Sequence, residues 1–273
     1  AHFTDSNDGC SSRTLRGEVL ICADGIHSVG RRQFFPDEGP PSWPGVVMWR
    51  GAVDWPVWED GETMVIAGGL AGKLVLYPIA PAKDGMQLMN WVVNVRVADP
   101  AVSTPPPESW SKTAPLARVL PYAKRFNVPG MDLDALVRGS GAIFEYPMAD
   151  RDPLPRWTHG RVTLLGDAAH PMYPVGSNGS AQAILDARCL ADLMVSSEHP
   201  REALHRYEQE RLPKTAEVVR TNRLGGPERV IDKVEKLAPA GFDAIDHVLS
   251  HAEREAIVHG YAKMAGFAAQ SNK

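Results

Sequence analysis

The sequence has few cysteines, no long apolar run and no excess of basic residues. Its three cysteines, Cys10, Cys22 and Cys189, stand far apart and lack the spacing of a metal site, which predicts reduced thiols in a cytoplasmic protein that binds no metal. No apolar run approaches the roughly 20 residues that are needed to span a bilayer. The net charge of −4 argues against nucleic acid or an anionic membrane as an obligatory partner.

The remaining composition is ordinary for a globular protein. Apolar residues make up 44% of the 273 positions, enough to bury a sizeable core in one large or two intimate domains. Apolar and polar side chains alternate from Met89 to Val97, which predicts a strand with one buried face. A connector is expected over 100–107 and a frayed end over 268–273. Pro213 predicts a kink or break in the helix that contains Leu204 to Leu212.

The clearest pattern begins with a short apolar strand. The run from Val162 to Leu165 is closed by Gly166 and Asp167, which predicts a buried strand that ends in a turn. Ala168 and Ala169 follow and add almost no side-chain bulk. A large ligand would therefore be able to approach the backbone at this turn.

A glycine-containing loop and a helix follow that turn. Gly176 and Gly179 allow unusual backbone dihedrals, and Ser180 or Asn178 is expected to cap the helix. The free amides of the helix N-terminus would point back toward the turn and favour negative charge. Together with Asp167, which can accept hydroxyl protons, these amides would hold a polyhydroxylated, partly anionic ligand.

A second buried strand is predicted at Glu18 to Cys22. It is followed at once by Asp24 and Gly25, and then by Ser28 and Arg31, in the spacing Asp-Gly-x-x-Ser-x-x-Arg. Asp-Gly after an apolar run could simply be a tight turn. If both motifs face one ligand, however, the two strands are parallel members of one sheet, with both aspartates at the same edge.

Taken in chain order, the Asp-Gly motif at 24–31 and the Gly-Asp motif at 166–170 resemble the two motifs of the single-component flavin hydroxylases. This family is typified by para-hydroxybenzoate hydroxylase. The second motif of that family reads Gly-Asp-Ala-Ala-His, then Pro, then a glycine loop, then Asp in the following helix. The matching positions here are Gly166 to His170, Pro174, Gly176 to Gly179 and Asp186. The amino-acid sequence of residues 146–155 is most similar to that of family members that hydroxylate phenazines. The usual Gly-Gln-Gly-x-Asn loop is replaced by residues 177–181.

The resemblance implies a mixed α/β, para-hydroxybenzoate hydroxylase-like FAD-binding fold that is truncated at its N-terminus. It would contain FAD-domain segments at 1–36 and 149–200, an antiparallel-sheet substrate domain at 37–148, and C-terminal helices at 201–273.

The family fold normally begins with a strand, a Gly-x-Gly-x-x-Gly turn and a helix. No such turn is found in this sequence, since the glycines of 68–72 lie in the wrong region. From the usual position of that turn, about 110 residues of the family fold are expected ahead of Ala1. Whether this reflects a fragment or a natural loss stays open. Residues 1–273 alone are expected to bind FAD poorly and to self-associate, for example as a homo-oligomer, through exposed apolar faces.

The resemblance also assigns cofactor residues. Asp167 would bind the ribityl chain of FAD, while Asp24 and Gly25 would lie by the flavin pyrophosphate and the path of the nicotinamide cofactor. The residues assigned to the cofactors are Asp24, Gly25, Ser28, Arg31, Gly166, Asp167, Ala168, Ala169, Gly176, Ser177, Asn178, Gly179 and Ser180.

The implied reaction is the hydroxylation of a phenazine-like or salicylate-like aromatic carboxylate. NAD(P)H would reduce FAD, and the reduced flavin would react with O₂ to form a C4a-hydroperoxide that transfers its hydroxyl group. Pro174 would pack near the flavin ring and help to exclude water. His170 is either a general base or a turn residue that is hydrogen-bonded to backbone.

Several side chains are candidates for contact with the substrate. Arg50 would meet a substrate carboxylate through its two-pronged guanidinium, although a solvated arginine at a strand end is an equal alternative. The aromatic and thioether candidates would line a flat pocket, and an ordinary core position is the alternative for each. They are Trp49, Tyr77, Trp91, Met172 and Tyr173.

Two alternatives to a hydroxylase would use the same residues. One is a truncated relative that binds flavin weakly or not at all and serves as an interaction module. The other is a flavin reductase or dehydrogenase that transfers no oxygen. Purified protein that carries oxidised flavin is yellow, which separates the first of these from an enzyme.

Overall fold

The structure is a computed structural model that describes residues 1–4, 12–69, 71–99, 106, 109 and 111–266. Cys10, Leu70, the expected frayed end at 268–273 and most of the expected connector at 100–107 lie outside these residues. The chain divides into two compact units. The first unit comprises Ala1–Pro41, Asp150–Pro227 and Ala256–Lys273, and the second comprises Ser42–Ala149 and Glu228–Glu255. The stretch 201–273 is thus shared between the two units.

The strands and helices follow the chain in a mixed α/β order. They are β1 (His2–Thr4), β2 (Ser12–Thr14), β3 (Leu20–Cys22), α1 (Val29–Phe34), β4 (Val46–Pro56), β5 (Val65–Gly69), β6 (Gly72–Pro78), β7 (Met86–Arg96), α2 (Leu116–Ala123), α3 (Leu133–Arg138), β8 (Phe144–Pro147), β9 (Val162–Leu164), α4 (Gly179–Ser196), α5 (Pro200–Arg223), α6 (Arg229–Leu237) and α7 (His251–Ala265). Within the described ranges, no helix combines the length and the apolar character that a membrane crossing requires.

The two motif strands pair directly in the first unit. Strands β3 and β9 are parallel, with Cys22 opposite Leu164. Asp24 and Asp167 come two and three residues after this last pair, so both lie beyond the same end of the ladder. The predicted parallel arrangement is confirmed. It arises because each apolar run stops at a glycine-containing turn.

Helices α4 and α5 pack against β9 and form the main core of the first unit. Tyr207 of α5 is fully buried, and its hydroxyl donates a hydrogen bond to the carbonyl of Leu164. Helix α5 runs without a break through Pro213, so the predicted break is wrong. Buried residues on both sides of the proline, including Leu204 and Val218, hold the helix in place, and this packing outweighs the loss of one backbone hydrogen bond.

The second unit is built on an antiparallel sheet with the strand order β5-β6-β7-β4-β8. Its longest ladder pairs β4 with β7 from Val46 opposite Arg96 to Pro56 opposite Met86. The antiparallel sheet is confirmed. Strand β7 is buried on both faces rather than on one, because Asn90 and Val92 are buried as well as Trp91.

Candidate functional site

The Asp24-Gly25 motif forms a tight turn that leads into α1. The Asp24 carboxylate accepts a hydrogen bond from the backbone N–H of Val29 at 2.7 Å. The Ser28 hydroxyl accepts from the backbone N–H of Arg31 at 3.0 Å and so caps the helix. Gly25 has φ +79°, a conformation that favours glycine. The side chains of Asp24 and Ser28 therefore shape the turn.

Arg31 connects this turn to the second motif. Its guanidinium is buried and donates to the carbonyls of Ala168 at 3.2 Å and Ala169 at 2.8 Å. It also donates to the carbonyl of Asp152 at 2.9 Å and to the carboxylate of Glu38 at 2.9 Å. The guanidinium is thus committed to protein acceptors and has no free face for a cofactor.

The alanines of the second motif are fully buried at 0% exposure. Their small size accommodates the surrounding core while their carbonyls accept from Arg31. In this structure the two alanines and Arg31 hold the turn in place, and their contact with a cofactor stays a prediction.

Asp167 differs from its neighbours because its side chain is exposed. Its carboxylate has no hydrogen bond and no ion pair within the described part of the chain, although neighbouring atoms strip it of some solvent. This desolvation raises its pKa above the usual value, and the nearby His170 opposes that effect only in part. An acceptor that is left unpaired in this way is suited to the hydroxyl groups of a ligand.

His170 belongs to a buried network centred on Asp186. The Nε2 atom of His170 lies 2.5 Å from one Asp186 oxygen, which also accepts from the backbone N–H of Gly166 at 3.2 Å. Arg211 donates to the other oxygen at 2.7 Å and also contacts Gln182 of α4. Burial alone would raise the pKa of Asp186, but hydrogen bonds and charge from His170 and Arg211 lower it below its usual value.

This network favours a structural role for His170. The histidine is 2% exposed, its Nε2 is engaged by Asp186, and its Nδ1 is buried with no hydrogen-bond partner among the described residues. The partner of its imidazole is a carboxylate, while its backbone N–H donates to the carbonyl of Gly166 at 2.9 Å, as in a turn. Arg211 was not singled out as a site residue, because its helical spacing marks a buried face and gives no sign of a buried ion pair.

The glycine loop leads into the N-terminus of α4. Gly176 and Ser177 have φ of +70° and +53°. Asn178 is the N-cap residue, but it makes no side-chain cap, and Ser180 does not cap the helix either. The predicted caps are therefore wrong. The Asn178 amide instead donates to the hydroxyl of Tyr261. This leaves the first-turn amides of α4 without a side-chain cap, as an anion-binding helix end requires.

A cleft of about 240 Å³ lies beside α1 in the first unit. Its walls include Ile26, His27, Arg32, Phe35 and Arg151. The described residues provide no hydrogen bond or ion pair for the side chain of Arg32, the exposed neighbour of Arg31.

The six predicted substrate residues do not share one surface. In the second unit, Trp49 and Trp91 lie on the sheet face that α2 and α3 cover, and both are 0% exposed. The indole N–H of Trp49 donates to Glu145, and that of Trp91 donates to Ser140, each at 2.8 Å. The core alternative therefore holds for both tryptophans.

Arg50 and Tyr77 lie on the opposite face of that sheet. Alternating residues of a strand point to opposite faces, and the register places Tyr77 across from Asn90. Arg50 is exposed, and its Nε donates to the Oδ1 of Asn90 at 2.7 Å. The Nδ2 of Asn90 is buried and has no acceptor among the described residues.

Met172 and Tyr173 are core residues of the first unit. Met172 packs with Val218, Val219 and Tyr261. Tyr173 is 7% exposed, and its carbonyl accepts from the side chain of Asn222 at 3.0 Å. The core alternative applies to these two residues as well.

Comparison with known proteins identifies the family. A family model described as "FAD binding domain" matches residues 1–222. The chain belongs to this family. FAD is the family's cofactor, and the free Asp167 carboxylate and the open end of α4 fit such a polyhydroxylated, anionic ligand.

Curated relatives carry the names of aromatic hydroxylases. The phenazine 1,6-dicarboxylic acid hydroxylase PhzS of Lysobacter antibioticus is 41% identical over 225 residues, which cover 81% of this chain and 55% of that protein. The 3-hydroxybenzoate 6-hydroxylase 2 of Aquipseudomonas alcaligenes is 32% identical over 83% of this chain and 68% of its own length. For most of the relatives that it matches, the chain spans about half of the length.

Solved structures share the fold. HpxO from Klebsiella pneumoniae, complexed with FAD and uric acid, matches 98% of this chain and 66% of its own with a TM-score of 0.69 and 21% identity. A salicylate hydroxylase substrate complex matches 96% of this chain and 66% of its own with a TM-score of 0.67 and 24% identity. The expected flavin hydroxylase fold and the resemblance to this family are confirmed.

The position of Arg31 generates a prediction about stability. Replacing Arg31 with Met leaves three carbonyls without this donor and leaves Glu38 with Arg151 as its remaining arginine partner, so we expect a loss of about 3–5 kcal/mol in the free energy of unfolding. Arg32→Met is the matched control, at an exposed site, and should change stability by less than about 0.5 kcal/mol. Urea unfolding midpoints measure both changes. Equal effects of the two substitutions would show that Arg31 does not hold the motifs together.

Proposed function

We propose that the protein is an FAD-dependent monooxygenase that hydroxylates a small aromatic carboxylate with O₂ and NAD(P)H. The observation that carries this proposal is the unpaired Asp167 carboxylate, at the edge where both flavin motifs end. Desolvation without a protein partner is unfavourable, and the hydroxyl groups of a ribityl chain would supply the missing donors. The names of the curated relatives support the reaction type.

Different residues of the first unit would contact different parts of the cofactor. Asp167 would accept from the ribityl hydroxyls, and Gly25 would leave room for the pyrophosphate beside the Asp24 turn. The amides at Gly179 and Ser180 would lie toward the electron-rich part of the flavin ring, where the helix end favours negative charge. Arg31, Ser28 and Asn178 act indirectly, since their side chains are engaged within the protein.

When bound, FAD would supply the redox chemistry by accepting a hydride from NAD(P)H and, once reduced, activating O₂. The protein's own residues orient the ring and limit access of water. Pro174 stands at the start of the glycine loop, where it would cover the ring. His170 would take no part in proton transfer, because its Nε2 is held by Asp186 inside the core.

The substrate class follows from Arg50 and Asn90. With its Nε fixed by the Asn90 Oδ1, the guanidinium of Arg50 retains free N–H groups, and the Asn90 Nδ2 beside it lacks an acceptor. These donors suit a carboxylate, which accepts several hydrogen bonds at once. Tyr77 on the same face would contact an aromatic ring. A phenazine or salicylate-like carboxylate therefore fits better than an uncharged aromatic compound.

The location and the assembly state are also part of this proposal. Cys22 and Cys189 are free thiols, in agreement with a reducing cytoplasm. Ile21, Val29 and Ile184 are apolar and exposed in the first unit. Such side chains would favour a homo-oligomer.

The reaction is tested by adding NAD(P)H, FAD and O₂ to the purified full-length protein, because residues 1–273 alone are expected to bind FAD poorly, with phenazine-1-carboxylate or salicylate as substrate. We expect a product that is heavier by one oxygen atom, and Arg50→Gln should raise the KM for the carboxylate about tenfold or more because a charged hydrogen bond is lost. The uncharged phenazine serves as a matched substrate whose KM should not depend on Arg50. NAD(P)H oxidation without an oxygenated product would favour a reductase, and the absence of flavin binding would favour the interaction module.

The unpaired state of Asp167 predicts opposite effects on ligand binding and on stability. Asp167→Asn should weaken FAD binding by about 1–3 kcal/mol, because charged acceptors make the stronger hydrogen bonds. The same change should stabilise the ligand-free protein at pH 7. A raised folded-state pKa means that the ionised carboxylate costs stability, and this cost disappears as pH falls through the folded pKa.

The gain from Asp167→Asn should therefore be largest near neutral pH and absent below about pH 4. FAD titrations and urea unfolding between pH 4 and 7 measure the two effects. Asp192→Asn, an exposed acid that pairs with Arg188 on α4, is the control and should alter neither by more than about 0.5 kcal/mol. Unchanged FAD affinity in Asp167→Asn would refute the assignment of this residue.

A further inference from the structure

The hydroxyl of Tyr261 lies at the centre of a buried polar group around the glycine loop. It accepts a hydrogen bond from the side-chain amide of Asn178 and donates one to the Oδ1 of Asn222 at 2.6 Å. The Nδ2 of Asn222 in turn donates to the carbonyl of Tyr173 at 3.0 Å. Asn178, Asn222 and Tyr261 are 4%, 1% and 7% exposed, so water cannot easily replace any of these bonds.

The same loop is packed closely against this group. A Cβ atom on Gly176 would lie 2.9 Å from Pro227 and 3.0 Å from the Tyr261 hydroxyl, and Gly176 has φ +70°. A Cβ atom on Gly226 would lie 2.9 Å from Val175. The chain at Gly226 and Pro227 and the ring of Tyr261 therefore fix the path of the loop from one side.

Tyr261 stands in the part of the chain that the family model does not cover, since that match ends at residue 222. It belongs to α7, whose end is also tied to α4, because the Gln182 side chain donates to the carbonyl of Ala265 at 2.8 Å. The loop and the first turn of α4 thus donate hydrogen bonds to acceptors on α7. Long-range contacts of this kind give no local signal in the sequence.

We propose that Tyr261 is a positioning residue for the cofactor site, holding the loop at 174–178 and the N-terminus of α4 through its hydroxyl. The proposal rests on the proposed function, in which this loop and helix end meet the flavin. The bond from its Nδ2 to Tyr261 turns the Asn178 side chain toward α7, and Asn178 has helical dihedrals (φ −95°, ψ −15°) with no cap from its Oδ1 to the α4 amides. Tyr261 therefore keeps the first-turn amides of α4 open while it orders the residue that precedes them.

Tyr261→Phe is the sharpest test, because it retains the ring that packs with Met172, Val218 and Val219. It leaves the side-chain Nδ2 of Asn178 without its acceptor and the side-chain Oδ1 of Asn222 without its donor. Tyr122→Phe is the matched control. This tyrosine of the second unit stacks on Trp49, and the described residues provide no hydrogen-bond partner for its hydroxyl.

Two measurements separate positioning from general stability. In the ligand-free protein, amide hydrogen exchange over residues 174–181 should rise about 5- to 30-fold in Tyr261→Phe, as expected for the loss of one or two buried hydrogen bonds. Exchange in β9 and in the middle of α5 should stay unchanged. The dissociation constant for FAD should rise by about threefold or more, and by no more than the factor for exchange, because the affinity falls in proportion to the binding-competent fraction of the loop. Tyr122→Phe should change neither measurement.

The outcomes distinguish this proposal from the proposed function. If the unsubstituted protein binds FAD and Tyr261→Phe changes neither exchange nor affinity, the positioning role is wrong and the flavin function stands. Faster exchange with unchanged affinity would also overturn the role, because the loop would then be ordered for another reason. If the unsubstituted protein binds no FAD, the proposed function is wrong, and the exchange result alone decides whether the hydroxyl orders the loop.

Discussion

The buried guanidinium of Arg31 is the constraint on which the first unit depends. Arg31 lies in the first turn of α1, the helix that follows the Asp24-Gly25 motif. Its guanidinium donates hydrogen bonds to the carbonyls of Ala168 and Ala169 in the other motif. A buried arginine without acceptors would be strongly unfavourable, so the two turns must stay together for the chain to fold. The parallel pairing of β3 and β9 gives both turns the same edge, and Arg31 fixes their separation.

This constraint changes the interpretation of the motifs. Most of their polar side chains are occupied inside the protein: Ser28 caps α1, His170 meets Asp186, and Asn178 meets Tyr261. These residues act as supports that hold backbone and helix ends in place. Asp167 is the exception among the charged motif residues with resolved pKa shifts, because its raised pKa arises from desolvation without a compensating donor. A motif can therefore specify a ligand site even though few of its side chains contact the ligand.

Much of the fold could be predicted from the sequence because its signals are local. Apolar runs closed by Asp-Gly and Gly-Asp gave the two parallel strands, and alternation around Trp91 gave a central strand of the antiparallel sheet. The wrong predictions share a physical cause, namely contacts between residues that are distant in sequence. Packing on both sides of Pro213 keeps α5 continuous, and the Asn178 side chain bonds to Tyr261 of α7 and does not cap α4. The sheet face of Trp49 and Trp91 depends on where α2 and α3 pack, which spacing alone does not reveal.

We propose that one flavin lies against both turns of the first unit. The most direct measurement is amide hydrogen exchange of the protein with and without saturating FAD. FAD should slow exchange in 24–31 and in 166–181 together, because both segments lie beyond the same end of the β3–β9 ladder. Protection of only one of these segments, or protection confined to 42–149, would contradict it.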